Sequence, residues 1–147
     1  MDEFAKFKKK STDSLNDAEE ILTKTYILTK DQKLFLSVLI KLNSALDSAL
    51  NYLLKEQILT KTSFSTKVSY LREQYSTKLK LNEDDFEFFT LIKNLVDKHK
   101  SSSVEFARKE KFIMTDDFDN LHTLKYENLN DYLIQTKKIV AAMFMIS

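Results

Sequence analysis

The sequence of 147 residues contains no glycine, proline, cysteine or tryptophan. Without glycine, the chain cannot form a Gly-rich phosphate-binding loop of the P-loop or Rossmann type. Without cysteine, it forms neither a disulfide nor a thiolate metal site, and it has no thiol nucleophile. Tight two-residue hairpin turns need positive φ angles that glycine adopts most easily, so the composition also argues against such hairpins. These absences favour a helical domain and exclude several large classes of enzyme.

Charge is nearly balanced, with 23 basic and 22 acidic side chains and a formal net charge of +1. This balance predicts no long-range attraction to nucleic acid or to an anionic membrane, so any such binding needs a local patch. No uninterrupted apolar run comes close to about 18 residues, the length that a membrane-spanning helix needs. Residues 1–10 do not resemble a secretory signal. We therefore expect a cytoplasmic protein without a membrane span, folded as a single domain over residues 1–147.

Apolar residues recur at helical spacing in five segments and predict an all-α fold. We expect a four- or five-helix antiparallel bundle, with an excursion at about 101–124 before the last helix. Ser11 and Ser14 offer N-caps, so the first helix begins or restarts there. Residues 1–11 then form a basic arm that is either mobile or the frayed start of that helix. Asn82, followed by three acidic residues, is the clearest helix start, and either Ser63 or Ser65 is the candidate cap for the helix before it.

The segment 31–57 is the most apolar of the five, with fourteen apolar residues within 34–54. Its apolar arc covers more than half of the helix circumference, which predicts either the central helix of the bundle or a helix shared by two subunits. We expect a homodimer through this helix, because an uncovered arc of this width is rare on a monomer. Small residues at i, i+4 spacing predict a close crossing with another helix. The narrow polar strip of this helix consists of Asn43, Asp47 and Asn51.

Residues 101–124 lack a sustained helical period. Apolar residues alternate with polar ones around Phe106 and Phe112, which favours a small β-hairpin or an irregular, extended segment. A short helix is the alternative, because Ser102 and Glu105 have the spacing of a capping box. The acidic residues within 116–119 favour a polar turn before the last helix.

Lys93, Asn94 and His99 lie within two turns of the predicted fourth helix. This arrangement resembles the helical signature of HEPN-type proteins, in which an Arg, often followed by Asn, precedes a His on one helix. The resemblance implies a dimer in which these groups from two protomers meet and cleave RNA, with Lys93 and His99 as the catalytic residues. Arg108 is the alternative cationic partner of His99. Lys93 stands where the family has Arg, and it lacks the bidentate guanidinium fork. The alternative is that His99 is an ordinary residue whose charge stabilises a helix C-terminus.

Basic residues concentrate within 93–111, where six of them accompany three acidic residues and the local net charge is +3. Phe106 and Phe112 are interspersed with them, as stacking platforms for single-stranded nucleic acid are. Three net charges support only a few phosphate contacts, so we expect weak binding of single-stranded RNA. The alternative is a solvated loop whose aromatic side chains anchor it to the core. The candidate nucleic-acid-binding residues are Lys98, Lys100, Arg108, Lys109 and Lys111.

Two histidines and no cysteine argue against a metal site, and we expect no other cofactor. Two functions then compete. The first is a non-catalytic helical-bundle protein, such as a HEPN-like accessory protein, that acts through self-association and a protein partner. The second is a HEPN-like, metal-independent ribonuclease or an RNA-binding protein. The scarcity of catalytic groups favours the first function.

Overall fold

The structure is a computed structural model that describes residues 5–55, 62–102, 104–115 and 120–146. That part of the chain is mostly helical and includes a small three-stranded antiparallel sheet. None of its helices is long and apolar enough to cross a membrane. The elements are α1 (Ala5–Glu20, continued by the π-helical turn Ile21–Thr25 and by Tyr26–Thr29), α2 (Leu34–Leu53), α3 (Phe64–Leu79), α4 (Glu83–Ser101), β1 (Val104–Arg108), β2 (Lys111–Thr115), β3 (Leu121–Lys125) and α5 (Tyr126–Met145).

Helix α2 lies at the centre of the fold. Ten of its residues are buried, and it packs against α1, α3, α4 and α5 of the same chain. Fully burying one leucine contributes about 1.5–3 kcal/mol, so covering this helix supplies much of the driving force for folding. Burial and packing against four helices are what the sequence leads us to expect of a central helix. Ile40, which is 43% exposed, is an exception on an otherwise covered arc.

Helices α1 and α2 cross closely because small residues line their contact. Ser11 donates a hydrogen bond from Oγ to the backbone oxygen of Ala45 at 2.7 Å, and the hydroxyls of Ser14 and Ser44 are 3.2 Å apart. Both serines of α1 are buried within a continuous helix. The helix therefore neither begins nor restarts at these serines, contrary to the expectation from the sequence. Residues 5–11 form the first turns of α1.

Strands β1, β2 and β3 form an antiparallel sheet in that order. Lys109 and Glu110 make the two-residue turn between β1 and β2, with φ angles of 48° and 66°. Positive φ at both central residues is what a type I′ turn requires, so the expectation that a glycine-free chain avoids tight hairpins is wrong. The helical alternative with Ser102 and Glu105 as a capping box is also wrong, because Glu105 lies in β1. The turn expected at 116–119 lies outside the described residues.

Helix α4 begins where the sequence predicts. The side chain of Asn82 accepts a hydrogen bond from the backbone N–H of Asp85 at 3.0 Å, and the Asp85 carboxylate accepts one from the N–H of Asn82 at 3.1 Å. This capping box satisfies N–H groups that a helix start leaves unpaired. Ser63 caps α3 in a similar way, by accepting a hydrogen bond from the backbone N–H of Thr66 at 3.3 Å. Both predicted helix starts are confirmed.

Candidate nucleic-acid interface

The three-stranded sheet has one buried and one exposed face, because successive side chains along a strand alternate. Phe112, Met114 and Leu124 lie on the inner face, which packs onto the helical core. Phe112 is only 3% exposed, so it anchors the sheet and is not a stacking platform for nucleic acid. Phe106 lies on the opposite face and is 40% exposed. One of the two predicted platforms is therefore accessible.

The exposed face of the sheet carries three cationic side chains in one row. The strand register pairs Arg108 with Lys111 and Lys111 with Lys125, and all three residues are exposed. Cross-strand neighbours lie about 5 Å apart, so the three charges form a line across the sheet. Lys125 is missing from the predicted set, although alternation along β3 places it on the same face as Thr123.

Two further rows complete this exposed face. The middle row consists of Phe106, Ile113 and Thr123, and the far row of Val104, Thr115 and Leu121. We call the nine side chains of the three rows the outer sheet face. The strand spacing and rise give it a span of about 10 Å across the strands and about 14 Å along them. Its charge lies at one end and its apolar surface at the other.

The other predicted nucleic-acid-binding residues lie around the sheet. Lys109 is exposed in the hairpin turn next to Arg108, and Lys100 is exposed in the last turn of α4. Lys98 lies on the inner side of the sheet, where its Nζ is 3.0 Å from Nε2 of His122. The predicted cluster therefore splits into a hairpin group and a group at the end of α4.

His99 is held by a carboxylate from the sheet. Its Nδ1 is 2.8 Å from Oε2 and 3.1 Å from Oε1 of Glu105, and both side chains are partly buried. An Nδ1–H that donates to Glu105 fixes the orientation of the ring and leaves Nε2 as the acceptor. The pair also ties the C-terminus of α4 to β1. The geometry therefore suits either proton transfer or a structural link.

Lys93 and His99 do not share a site within one chain. Residues six positions apart on a helix lie about 120° apart around its axis. Nζ of Lys93 is 3.1 Å from Oδ1 of Asp97, and its side chain lines a cavity among α2, α3 and α4, whereas His99 contacts Glu105. A site that uses both residues needs a second subunit, as the HEPN-type resemblance implies.

The cavity beside Lys93 contains a second cation. Lys67 is only 3% exposed, and its Nζ is 2.7 Å from both Oδ1 of Asp47 and Oδ1 of Asn51. Sequence reasoning misses Lys67, although its place on the apolar stripe of α3, three residues after Phe64, is a signal. We call this site the polar cavity; its volume is about 500 Å³, and its lining residues are Asn43, Asp47, Asn51, Thr62, Ser63, Phe64, Lys67 and Lys93.

Three features of the described residues could carry a function: the outer sheet face, the pair of His99 and Glu105, and the polar cavity. Each combines side chains from at least two secondary-structure elements, so each depends on the folded chain. Comparison with protein-family models, with curated proteins and with solved structures gives no match for this chain.

Proposed function

We propose that the protein is a non-catalytic binding protein whose outer sheet face binds a short segment of single-stranded RNA. The row of Arg108, Lys111 and Lys125 carries this proposal, because it offers three positive charges to successive phosphates of a single RNA strand. Phe106 in the adjacent row offers an exposed ring on which a base can stack. We also propose that the resemblance of Lys93, Asn94 and His99 to HEPN-type proteins favours RNA as the class of ligand.

The size of the outer sheet face favours a few nucleotides over a folded protein partner. A stable protein interface buries about 800 Å² on each partner. The outer sheet face has nine side chains, whereas such an interface uses about 20–30 residues on each side. Sheets that bind RNA stack only two or three bases on their exposed face. We therefore take RNA as the main partner and expect a protein partner only where further surface joins the sheet.

We infer that the described helices form the antiparallel bundle predicted from the sequence, with α2 at its centre. The packing of α2 against the other helices supports this arrangement. The single domain over residues 1–147 stays a prediction, whereas the homodimer that the sequence predicts loses its main argument. Most of the apolar arc of α2 is covered within its own chain, so little uncovered apolar surface is left there for a dimer interface. A dimer would need additional surface.

Reversing two charges of the cationic row should weaken RNA binding by about tenfold or more at low salt. In the double variant Arg108→Glu, Lys111→Glu, two of three attractive phosphate contacts become repulsive. Wild-type binding should itself weaken with salt, with a log–log slope near about −2 for three phosphates on a single strand. Fluorescence anisotropy with a labelled uridine oligonucleotide of about eight residues measures both effects.

The double variant Lys6→Glu, Lys10→Glu is the matched control for this experiment. It changes the net charge equally, and both lysines are exposed in the first turns of α1. We expect an affinity within about twofold of wild type. Binding that persists at high salt, or that weakens equally in both double variants, would place the RNA site elsewhere.

Metal-independent RNA cleavage is the second candidate function, and the pair of His99 and Glu105 favours it. A carboxylate on Nδ1 orients the imidazole so that Nε2 can act as a general base. For a binding protein, we expect no cleavage by the wild type, and His99→Ala should cost only about 0.5–1.5 kcal/mol through the lost contact. A gel assay that detects cleavage of labelled RNA distinguishes the binding protein from the ribonuclease. Cleavage that both His99→Ala and Glu105→Gln abolish would establish a ribonuclease in which Glu105 positions His99.

A further inference from the structure

The polar cavity contains a polar atom that the described residues do not satisfy. Oδ1 of Asn43 is buried and has no hydrogen-bond partner among them. Burying an unpaired carbonyl oxygen is unfavourable, and such atoms are rare enough in native proteins that each one needs an explanation. Asn43 lines the polar cavity. Rotation of its side-chain amide turns Oδ1 toward a ligand bound there, which supplies the missing donor.

The hydrogen-bond acceptors and the cationic side chains of the polar cavity lie on different helices. Helix α2 contributes Asn43 and, one turn later, the carboxylate of Asp47, whose side chain is 40% exposed. Lys67 contacts Oδ1 of Asp47, which leaves Oδ2 for a second donor. Helix α4 contributes Lys93, whose pairing with the half-exposed Asp97 is a surface ion pair and therefore weak. A carboxylate from a ligand can replace Asp97 on Lys93 with little loss.

We propose that the polar cavity binds a free α-amino acid with an apolar side chain. The ammonium group lies between Asn43 and Asp47, which are neighbours at i, i+4 on α2. The carboxylate of the amino acid contacts Lys93, and the apolar side chain of the amino acid packs against Phe64. A volume of about 500 Å³ is in the range of small-molecule sites and leaves room for such a ligand. This site goes beyond the proposed RNA binding and does not depend on it.

Thermal unfolding with added ligand tests the class of molecule. L-leucine and L-phenylalanine should raise Tm, by about 3 °C when present at about ten times Kd. Two analogues each remove one charged group: phenethylamine lacks the carboxylate, and hydrocinnamate lacks the ammonium group. Neither analogue should raise Tm, because phenethylamine has no carboxylate to contact Lys93, and hydrocinnamate has no ammonium group to contact Asn43 and Asp47. No shift with either amino acid at millimolar concentration, or an equal shift with an analogue, would overturn the proposal.

Two variants test the place of binding. Asn43→Leu removes the unpaired oxygen, so Tm without ligand should stay equal or rise while the shift with L-leucine disappears. Lys93→Gln should weaken binding about tenfold or more in calorimetry. Lys9→Gln is the matched control, because Lys9 forms the same i, i+4 pair with Asp13, at 2.7 Å, outside the polar cavity. If Asn43→Leu fails to fold, Lys93→Gln decides alone. An unchanged Kd in Lys93→Gln would overturn the proposal.

Discussion

At the scale of single residues, Lys67 and Asp47 are unequal partners in one ion pair. The ammonium group of Lys67 is nearly inaccessible to water, whereas the carboxylate of Asp47 is partly solvated. A buried charge that loses its counter-ion cannot recover its hydration, but a half-exposed charge can. Truncating either side chain removes the same contact, yet the two truncations should not have the same effect.

Asp47→Ala should lower the free energy of unfolding by about 2–3 kcal/mol, because it leaves the Lys67 ammonium group buried with the Asn51 amide oxygen as its described partner. Lys67→Met should cost less than about 1.5 kcal/mol, since methionine fills a similar volume and Asp47 stays solvated. Urea denaturation measures both values. Asp17→Ala, which removes the exposed pair with Lys41, is the control and should cost about 0–1 kcal/mol. A larger loss for Lys67→Met than for Asp47→Ala would contradict this account.

Residue-scale interactions can be predicted from the sequence where the partners are close along the chain. Asn82 and Asp85 are three positions apart, so their capping box is visible in the sequence. The partners of Lys67 lie sixteen and twenty positions away, on another helix. The polar strip of α2 is visible without them, but the cavity that it lines depends on how three helices pack. A local pattern does not contain that information.

At the scale of elements, the absence of glycine means that residues with a Cβ atom occupy the positions of positive φ in the described backbone. Lys30 and Lys80 follow the C-termini of α1 and α3, and Lys109 and Glu110 form the hairpin turn; their φ angles lie between 48° and 66°. The left-handed region costs a residue with a Cβ atom roughly 1–2 kcal/mol. These four positions therefore store strain that glycine would relieve.

Lys80→Gly and Glu110→Gly should each raise the free energy of unfolding by about 0.5–1 kcal/mol, because relief of strain exceeds the extra entropy that glycine loses on folding. Lys78→Gly provides the comparison. It lies two positions earlier, inside α3, where glycine should lower stability by about 1 kcal/mol. Thermal unfolding of the three variants measures the differences. Loss of stability in Lys80→Gly would show that this residue is not held in the left-handed conformation.

The helices are predictable because each repeats its apolar period over several turns. The sheet is only partly predictable, since each strand has five residues and so provides too few alternations for a firm assignment. The turn of Lys109 and Glu110 also lacks the glycine that usually marks a hairpin. The row that contains Lys125 emerges only once the register of β2 against β3 is known, because residues from three strands compose it.

At the scale of the whole molecule, the two proposed ligands use different elements. The outer sheet face belongs to β1, β2 and β3, and the polar cavity belongs to α2, α3 and α4. One link between them runs through α4, whose C-terminal turn contacts the inner side of the sheet through His99 and Lys98. Changes to the cationic row should therefore leave the polar cavity intact, and changes to the cavity should leave the row intact.

The mass in solution tests the homodimer that the sequence predicts through α2. A stable dimer needs about 800 Å² from each subunit, and Ile40, the exposed apolar side chain on the α2 arc, supplies only a small part of that area. Because the rest of the arc is covered within the chain, we expect light scattering at tens of micromolar to give the mass of one chain, 17.2 kDa. Twice that mass would restore the homodimer. Ile40→Glu would then show whether α2 forms the dimer interface, because a charge at that position separates the subunits only if they meet at α2.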